Sequence, residues 1–354
     1  MLKDTIRTDA YRDFIYNNKH LFAGKTVLDI GCGTGILSMF CARAGASRVL
    51  AVDASAIIAK AQENVFRNNL SSTITCLHGR IEEVALPVDK VDIIVSEWMG
   101  YCLLFEAMLP SVLYARDRYL APGGLMVPSH TNMSVAPVAD PTWVAENGAA
   151  FWDDVYGFDM RSMATGLYAD ARVLHWPPSS ICGKPTVFKM LDLYSCSVAD
   201  LSFTTPYTTS LTHSIEALDG FLIWFDTFFS PSPPSSSDFQ PDGPHHVPDA
   251  AVAESWILDK DGKRDQDRVA FTTGPWGTET HWKQGLLMIE PPPRSSGSDK
   301  KKAAAADADG DAGSLEKDAQ VRGEITYSIP ADHARGLNIK VSWGQGRSQQ
   351  WALS

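Results

Sequence analysis

The 354-residue sequence contains no CxxC pair. Its six cysteines stand apart at positions 32, 41, 76, 102, 182 and 196, so neither a zinc site nor a disulfide framework is indicated, and no metal is expected. Isolated thiols suit a reducing compartment, which predicts a cytoplasmic or nuclear protein. Also missing is any basic run long enough to follow a nucleic-acid backbone. With 31 Lys and Arg against 42 Asp and Glu, the formal charge is −11, and no direct nucleic-acid partner is expected. An acidic surface instead favours basic protein partners. No run of about 18 apolar residues is available to span a membrane, and the polar opening MLKDTIRTDAYRD carries no apolar signal region. What remains is ordinary globular composition, 44% hydrophobic and 21% charged, in a chain long enough for two domains with separate cores.

Residues 5 to 18 read as a helix with Ile6, Phe14 and Ile15 as its apolar stripe and Asp4 as a cap. Strand and helix signals then alternate: TVLDI (26 to 30), a helix over 36 to 44, RVLAVD (48 to 53), a helix over 56 to 68, TITCLHG (73 to 79), VDIIVS (91 to 96) and a helix over 111 to 119. Continuous apolar strands alternating with amphipathic helices predict an α/β domain with a parallel sheet covered on both faces, here over residues 1 to 127. At Pro122-Gly-Gly the rhythm changes. From 128 to 354 the signals are period-two strands, LSFTTPY, GFLIWFDTFF, RVAFTTG, QGLLMIE, EITYSI and LNIKVSWG, which predict an antiparallel barrel or sandwich. Two segments that cannot pack a core interrupt it: 230 to 249, with six prolines, and 294 to 320, a Ser/Lys/Ala/Asp/Gly tract holding the basic stretch Lys300 to Lys302. Both read as long loops.

The run from Asp29 to Gly35, DIGCGTG, is a glycine turn between a strand and a helix, where Gly31, Gly33 and Gly35 allow close backbone approach to a ligand. Asp53 ends the next strand, the place for a carboxylate that binds both hydroxyls of a ribose. The spacing is GxGxG, not GxGxxG, and leaves a nicotinamide nucleotide and S-adenosylmethionine both open; the plainer reading is a tight turn with a capping acid. Glu97 and Glu106 bracket WMGYCLLF just past the strand 91 to 96. Two carboxylates facing one pocket repel unless a cation sits between them. A planar guanidinium fits, since its fork of donors can be shared by both. Separately they could be a turn cap and a solvated helix start. Thr280-His281-Trp282, far downstream, decides nothing by itself.

Taken together, VLDIGCGTGILSMF, VDAS, GRIEEV, VSEWMGY followed by Glu106, and THWKQ resemble, in order and spacing, the protein arginine N-methyltransferases, in particular the type I, asymmetric-dimethylating group. The segments MLKDTIRT, YRDFIY and FWDDVYGF carry the resemblance into the flanking regions. It implies a Rossmann-like S-adenosylmethionine domain followed by a β-barrel with a helical dimerisation arm at about 143 to 172. It also implies that Gly31 and its neighbours bind the methionine part of the cofactor, Arg7 its carboxylate, Asp53 the ribose, and Ile81 and Glu82 the adenine. By the same resemblance Glu97 and Glu106 hold the substrate guanidinium, His281 pairs with Asp4, and Met1 and Met108 shape the pocket for a second methyl. The implied partners are Gly-Arg-rich, histone or ribosomal proteins and a second copy of the chain.

The family carries a Tyr/Phe-rich lid helix immediately before the segment matching MLKD, and some members carry a zinc finger. The expectation here is a catalytic core without either. Two other functions stay open at this stage: a catalytically impaired dimerising scaffold, and a nucleotide-dependent oxidoreductase, which leaves the paired glutamates unexplained.

Overall fold

The computed structural model describes residues 2–232, 253, 257, 263–291, 314–331, 333, 335–344 and 346–353. Most of the two expected loops, 233 to 249 and 294 to 313, lies outside these residues, as do Lys300 to Lys302 and Met1. Two compact units divide the chain. One takes Met1–Asn132, Met190–Asp200 and Phe225–Thr273, the other Met133–Lys189, Leu201–Trp224 and Gly274–Ser354. Sequence reading placed one boundary at 127/128; the chain in fact returns twice to the first unit, through segments whose strand signals look like those of their neighbours.

The first unit opens with helices α1 (Thr5–Asn17) and α2 (Lys19–Phe22). Alternation follows as expected through β1 (Thr26–Ile30), α3 (Ile36–Arg43), β2 (Arg48–Asp53), α4 (Ile58–Arg67), β3 (Ile74–His78), β4 (Val91–Ser96) and α5 (Leu109–Tyr119), and is extended by β5 (Leu120–Val127). All five strands are parallel, in the order β3-β2-β1-β4-β5. Val27 to Ile30, Val49 to Val52 and Ile93 to Val95 are buried on both faces, which is why they read as unbroken apolar runs. Pro122-Gly-Gly does not end the sheet but lies inside β5, whose register shifts between Val91 and Ile93 of its partner. The strand order reverses between β1 and β4, and the crevice at such a switch point is where α/β sheets bind ligands. Asp4 caps α1 by accepting from Arg7 N at 3.0 Å. Arg7, Ala10, Tyr11, Phe14 and Ile15 make the buried face of that helix at helical spacing.

The remaining strands and one helix are β6 (His130–Val138), α6 (Pro141–Asn147), β7 (Arg172–Leu174), β8 (Thr186–Asp192), β9 (Phe203–Ser210), β10 (Gly220–Phe229), β11 (Val269–Thr272), β12 (Gln284–Met288), β13 (Gln320–Ser328), β14 (Leu337–Trp343) and β15 (Arg347–Leu353). In the second unit β15, β14, β13 and β9 form an antiparallel sheet in that order. There too β12 pairs antiparallel with β7 and with Gly220 to Ile223 of β10. Trp176, Trp224, Leu222, Leu286 and Met288 build its core. Five strands escaped the sequence reading: β5 contains the Pro122-Gly-Gly turn signal, β6 is buried at every residue and so lacks alternation, β7 is three residues long, β8 alternates weakly, and β15 is mostly polar. β10 was expected to alternate and is instead buried throughout. The arm at 143 to 172 consists of α6 and short 3-10 turns at Ala149–Asp153 and Arg161–Ala164. It leaves Phe151, Tyr156, Phe158 and Met163 exposed, Tyr156 at 98%.

Ile94 sits at 0% exposure in the central strand β4. Ile94→Ala is expected to lower stability by about 2–5 kcal/mol, read as a shift of the urea midpoint at unchanged m-value.

Candidate active site

The glycine turn is built by backbone geometry that side chains resist. Gly31, Gly33 and Gly35 have φ of +68°, +54° and +82°. Gly31 N and Cys32 N both donate to Val52 O, at 2.8 and 3.1 Å, which ties the turn to β2. A Cβ on Gly31 would stand 2.5 Å from Met108 Cε, so Met108 closes directly over the turn. At Gly33 a Cβ would meet only a carbonyl oxygen 4.0 Å away, and the turn is open there. Asp53, at the carboxyl end of β2, accepts from Gly33 N at 2.8 Å through Oδ2 and from Ser55 N and Oγ through Oδ1. It thus holds the turn in shape, and its Oδ2 keeps further acceptor capacity.

Asp29 occupies a different level. It is fully buried beneath the turn, and its Oδ2 accepts from Ser38 Oγ at 2.6 Å while Oδ1 has no hydrogen-bond partner. Burial pushes its carboxyl up to about 6, with Ser38 working in the opposite direction. Glu82 accepts from Ser111 Oγ at 2.6 Å, and its Oε2 is buried without a hydrogen bond, Arg80 Nε standing 3.6 Å away. Ile81 beside it is buried.

Across the switch point, β4 delivers Glu97. Its side chain is buried, and both Nε and Nη2 of Arg7 lie 3.0 Å from Oε2. Burial nonetheless raises the Glu97 carboxyl above its usual range, against the pull of Arg7 and of the Met99 backbone. At this carboxylate the loss of solvent outweighs the attraction of Arg7. Resemblance gave Arg7 to the cofactor carboxylate; in the structure its guanidinium lies on Glu97, because a buried cation takes the nearest anion. Asp4, expected beside the substrate, caps α1 and is near enough to Glu97 to oppose its ionisation.

After Glu97 the chain makes a tight loop. Gly100 and Leu103 exchange backbone hydrogen bonds at 2.9 and 3.1 Å, and Met108 N donates to Trp98 O at 3.1 Å, closing it. Cys102, Leu103 and Glu106 all have positive φ, 48°, 71° and 53°, strain of a kind that collects at functional sites. A Cβ at Gly100 would fall 1.5 Å from Phe105 O. The two glutamates differ in setting, Glu97 buried and Glu106 exposed. His281 belongs to the other unit, in a turn closed by Lys283 N on Thr280 O at 3.2 Å, its ring 4.0 Å from that of Trp282.

Sequence reading missed three supports. Tyr11 donates to Ser96 O at 2.9 Å, with Arg7 Cζ 5.9 Å from its ring centre; Ser96 Oγ donates to Ile30 O at 2.8 Å, joining β4 to β1; and Ser111 holds Glu82. The i,i+4 spacing of Arg7 and Tyr11 was the available signal.

The crevice fits S-adenosyl-L-methionine. Glu82 has a buried acceptor that would suit the adenine amine, Asp53 would take the ribose hydroxyls, and Gly31 to Gly35 would take the methionine part. A carboxyl raised in the folded state costs stability as it ionises, so wild-type stability should fall as pH rises through the Asp29 window. Asp29→Asn removes that slope: its stability relative to wild type is expected to rise by about 2 kcal/mol between pH 4 and pH 6 in urea titrations.

Comparison with known proteins agrees with this geometry. A sequence model described as "Methyltransferase domain" matches residues 27–124, and one described as "Arginine methyltransferase oligomerization subdomain" matches 129–246. The Schizosaccharomyces pombe ribosomal protein arginine N-methyltransferase rmt3 is 42% identical across 100% of this chain, which spans 57% of that relative. Protein arginine N-methyltransferase 1 of the same organism is 44% identical over 81% of this chain and 74% of its own. Among solved structures, the Trypanosoma brucei PRMT1 enzyme–prozyme complex with AdoHcy superposes with a TM-score of 0.79 at 30% identity, covering 100% of this chain and 96% of its own. Arabidopsis thaliana protein arginine methyltransferase 10 gives 0.72 at 28%, covering 99% and 95%. With its glycine turn, its glutamate loop and its oligomerisation subdomain, the chain belongs to the protein arginine N-methyltransferases, enzymes whose methyl donor is S-adenosyl-L-methionine.

Proposed function

We propose that the protein methylates arginine side chains of other proteins, giving mono- and asymmetric dimethylarginine, with Gly-Arg-rich, histone or ribosomal proteins as substrates. The observation that carries this reading is that Glu97, at the switch point beside the glycine turn, already holds a guanidinium. A site that binds one planar cation through a buried carboxylate is built for another.

When bound, S-adenosylmethionine supplies a methyl group activated on a sulfonium. The chain has to present an aligned, electron-rich nitrogen. Arginine does not lose its proton in solution, so Glu97 and Glu106 fix the guanidinium plane and draw its positive charge away from the attacking nitrogen. Positioning then provides most of the acceleration. The proton that the nitrogen releases is assigned to His281, directly or through water. Met108 over Gly31 narrows the pocket so that a methylated nitrogen re-enters in one orientation, which supports dimethylation of the same nitrogen. The scaffold alternative gains no support, since a scaffold needs neither the strained glutamate loop nor an orphaned acceptor at Glu82. The exposed apolar residues of the arm support docking on a second copy, and the six free cysteines support a cytoplasmic or nuclear setting.

Glu97→Gln and Glu106→Gln are each expected to lower kcat/KM on a Gly-Arg-rich peptide by more than about tenfold. Mass spectrometry of the wild-type product should show asymmetric dimethylarginine; activity within tenfold for both variants would sink the clamp. Phe151→Glu combined with Phe158→Glu is expected to give a monomer in light scattering.

A further inference from the structure

We propose that a cavity at the joined ends of β7 and β12 is a subsite for a second arginine of the substrate, a few residues from the one that reacts. The proposal rests on the function proposed above and on the role given there to His281.

β7 and β12 pair to their ends, with Gln284 opposite Leu174. Past that point the chain leaves β7 as His175-Trp176-Pro177-Pro178, and it approaches β12 through the turn from Gly274 to Glu279. The prolines have no N–H to continue the ladder, and Pro177 holds its segment extended at φ −70° and ψ 132°. A cavity of about 340 Å³ stays open between the two segments. Its apolar wall is Trp176, which is buried and fixed twice: its N donates to Gln284 Oε1 at 2.9 Å, and its ring stands 5.0 Å from that of Trp143, edge to face.

Charge at the cavity is one-sided. Among the described residues that line it Glu279 is the acid, and none is lysine or arginine. His175 Nε2 lies 3.3 Å from Glu279 Oε2. In the neutral tautomer that donates from Nε2, the other ring nitrogen is an acceptor, and this Nδ1 is buried without a hydrogen bond. The Glu279 side chain is 75% exposed, so its carboxylate is open to a ligand. In the same short turn Trp276 keeps 51% of its surface exposed, with its ring edge-on to Trp224 at 5.8 Å. An indole held in this way and bare to solvent is a platform for a planar cation. Acid, indole and apolar cavity together suit arginine: its stem lies along the prolines, its fork meets Glu279, and its plane covers Trp276.

Position sets the spacing. Glu279 is two positions from His281, so their Cα atoms are at most about 7.6 Å apart, or roughly two residues of extended peptide. With the reach of the side chains, the second arginine falls about two to four residues from the reacting one.

The test is steady-state methylation by the full chain of paired glycine-rich peptides. Each has one common arginine and, at two, three or four residues from it, either arginine or glutamine. Fragment-ion mass spectrometry reads methyl transfer to the common arginine alone. At one spacing the second arginine is expected to lower KM by about fivefold with kcat within twofold, the size of an exposed ion pair and a cation–π contact together. Glu279→Gln should bring that gain below twofold and Trp276→Ala should about halve it, with KM for the glutamine peptide and the thermal midpoint unchanged. Should Trp276→Ala fail to fold, Glu279→Gln and the wild-type pairs decide. A wild-type gain below twofold at every spacing, with both peptides methylated, overturns the subsite and leaves the proposed function standing. A full gain retained in Glu279→Gln traces the attraction to the acidic chain at large and overturns the assignment to this cavity. A KM raised equally for both peptides in that variant also overturns it, because Glu279 then acts on the reacting arginine. Methylation of neither peptide overturns the proposed function and the subsite with it.

Discussion

A carboxylate buried at the carboxyl end of a parallel strand is the constraint around which the site is arranged. Glu97 leaves β4 directly at the switch point, where solvent is largely excluded, and Arg7 meets it there. Ion pairs of this sort contribute little net stability, because both partners lose their water; the raised carboxyl of Glu97 is the sign of that cost. Keeping the pair makes sense as a charge arrangement for ligands. α1 has to be anchored for it, and the anchor is apolar: Tyr11 meets Phe229 edge-on at 4.8 Å, and Phe14 lies 6.5 Å from Phe22.

The second constraint is backbone strain. Three non-glycine residues with positive φ in one loop are a conformation that packing must impose. The loop is closed at Met108, and the same residue's side chain lies over Gly31. Cofactor turn and glutamate loop are therefore mechanically joined through one methionine, and a disturbance of either is felt by both.

Much of this was legible beforehand. The alternation of apolar strands with helices marked the parallel sheet because burial on both faces leaves no other pattern, and the glycine turn and Asp53 were marked by position at strand ends. Glu97 and Glu106 were recognisable as a pair in want of a cation. The strands β6 and β10 were harder, since complete burial removes the alternation on which strand reading depends. Ser38, Ser96 and Ser111 were invisible for a different reason: an isolated serine carries no periodic signal, and its partner lies outside its own element, nine residues away for Ser38 and tens for the other two.

The sequence by itself determined the residue types and their order: glycines where the chain turns left-handed, acids at strand ends, two glutamates around a small loop. These follow from local rules of backbone sterics and side-chain chemistry. Tertiary structure alone decided which charge meets which. Arg7 and Glu97 are separated by ninety positions, and only the docking of α1 against the end of β4 makes Glu97 the anion that Arg7 meets. Asp29 and Asp53, each at the end of a strand beside the glycine turn, were likewise separated by depth, one buried beneath it and the other at its rim, because burial is a property of the packed whole.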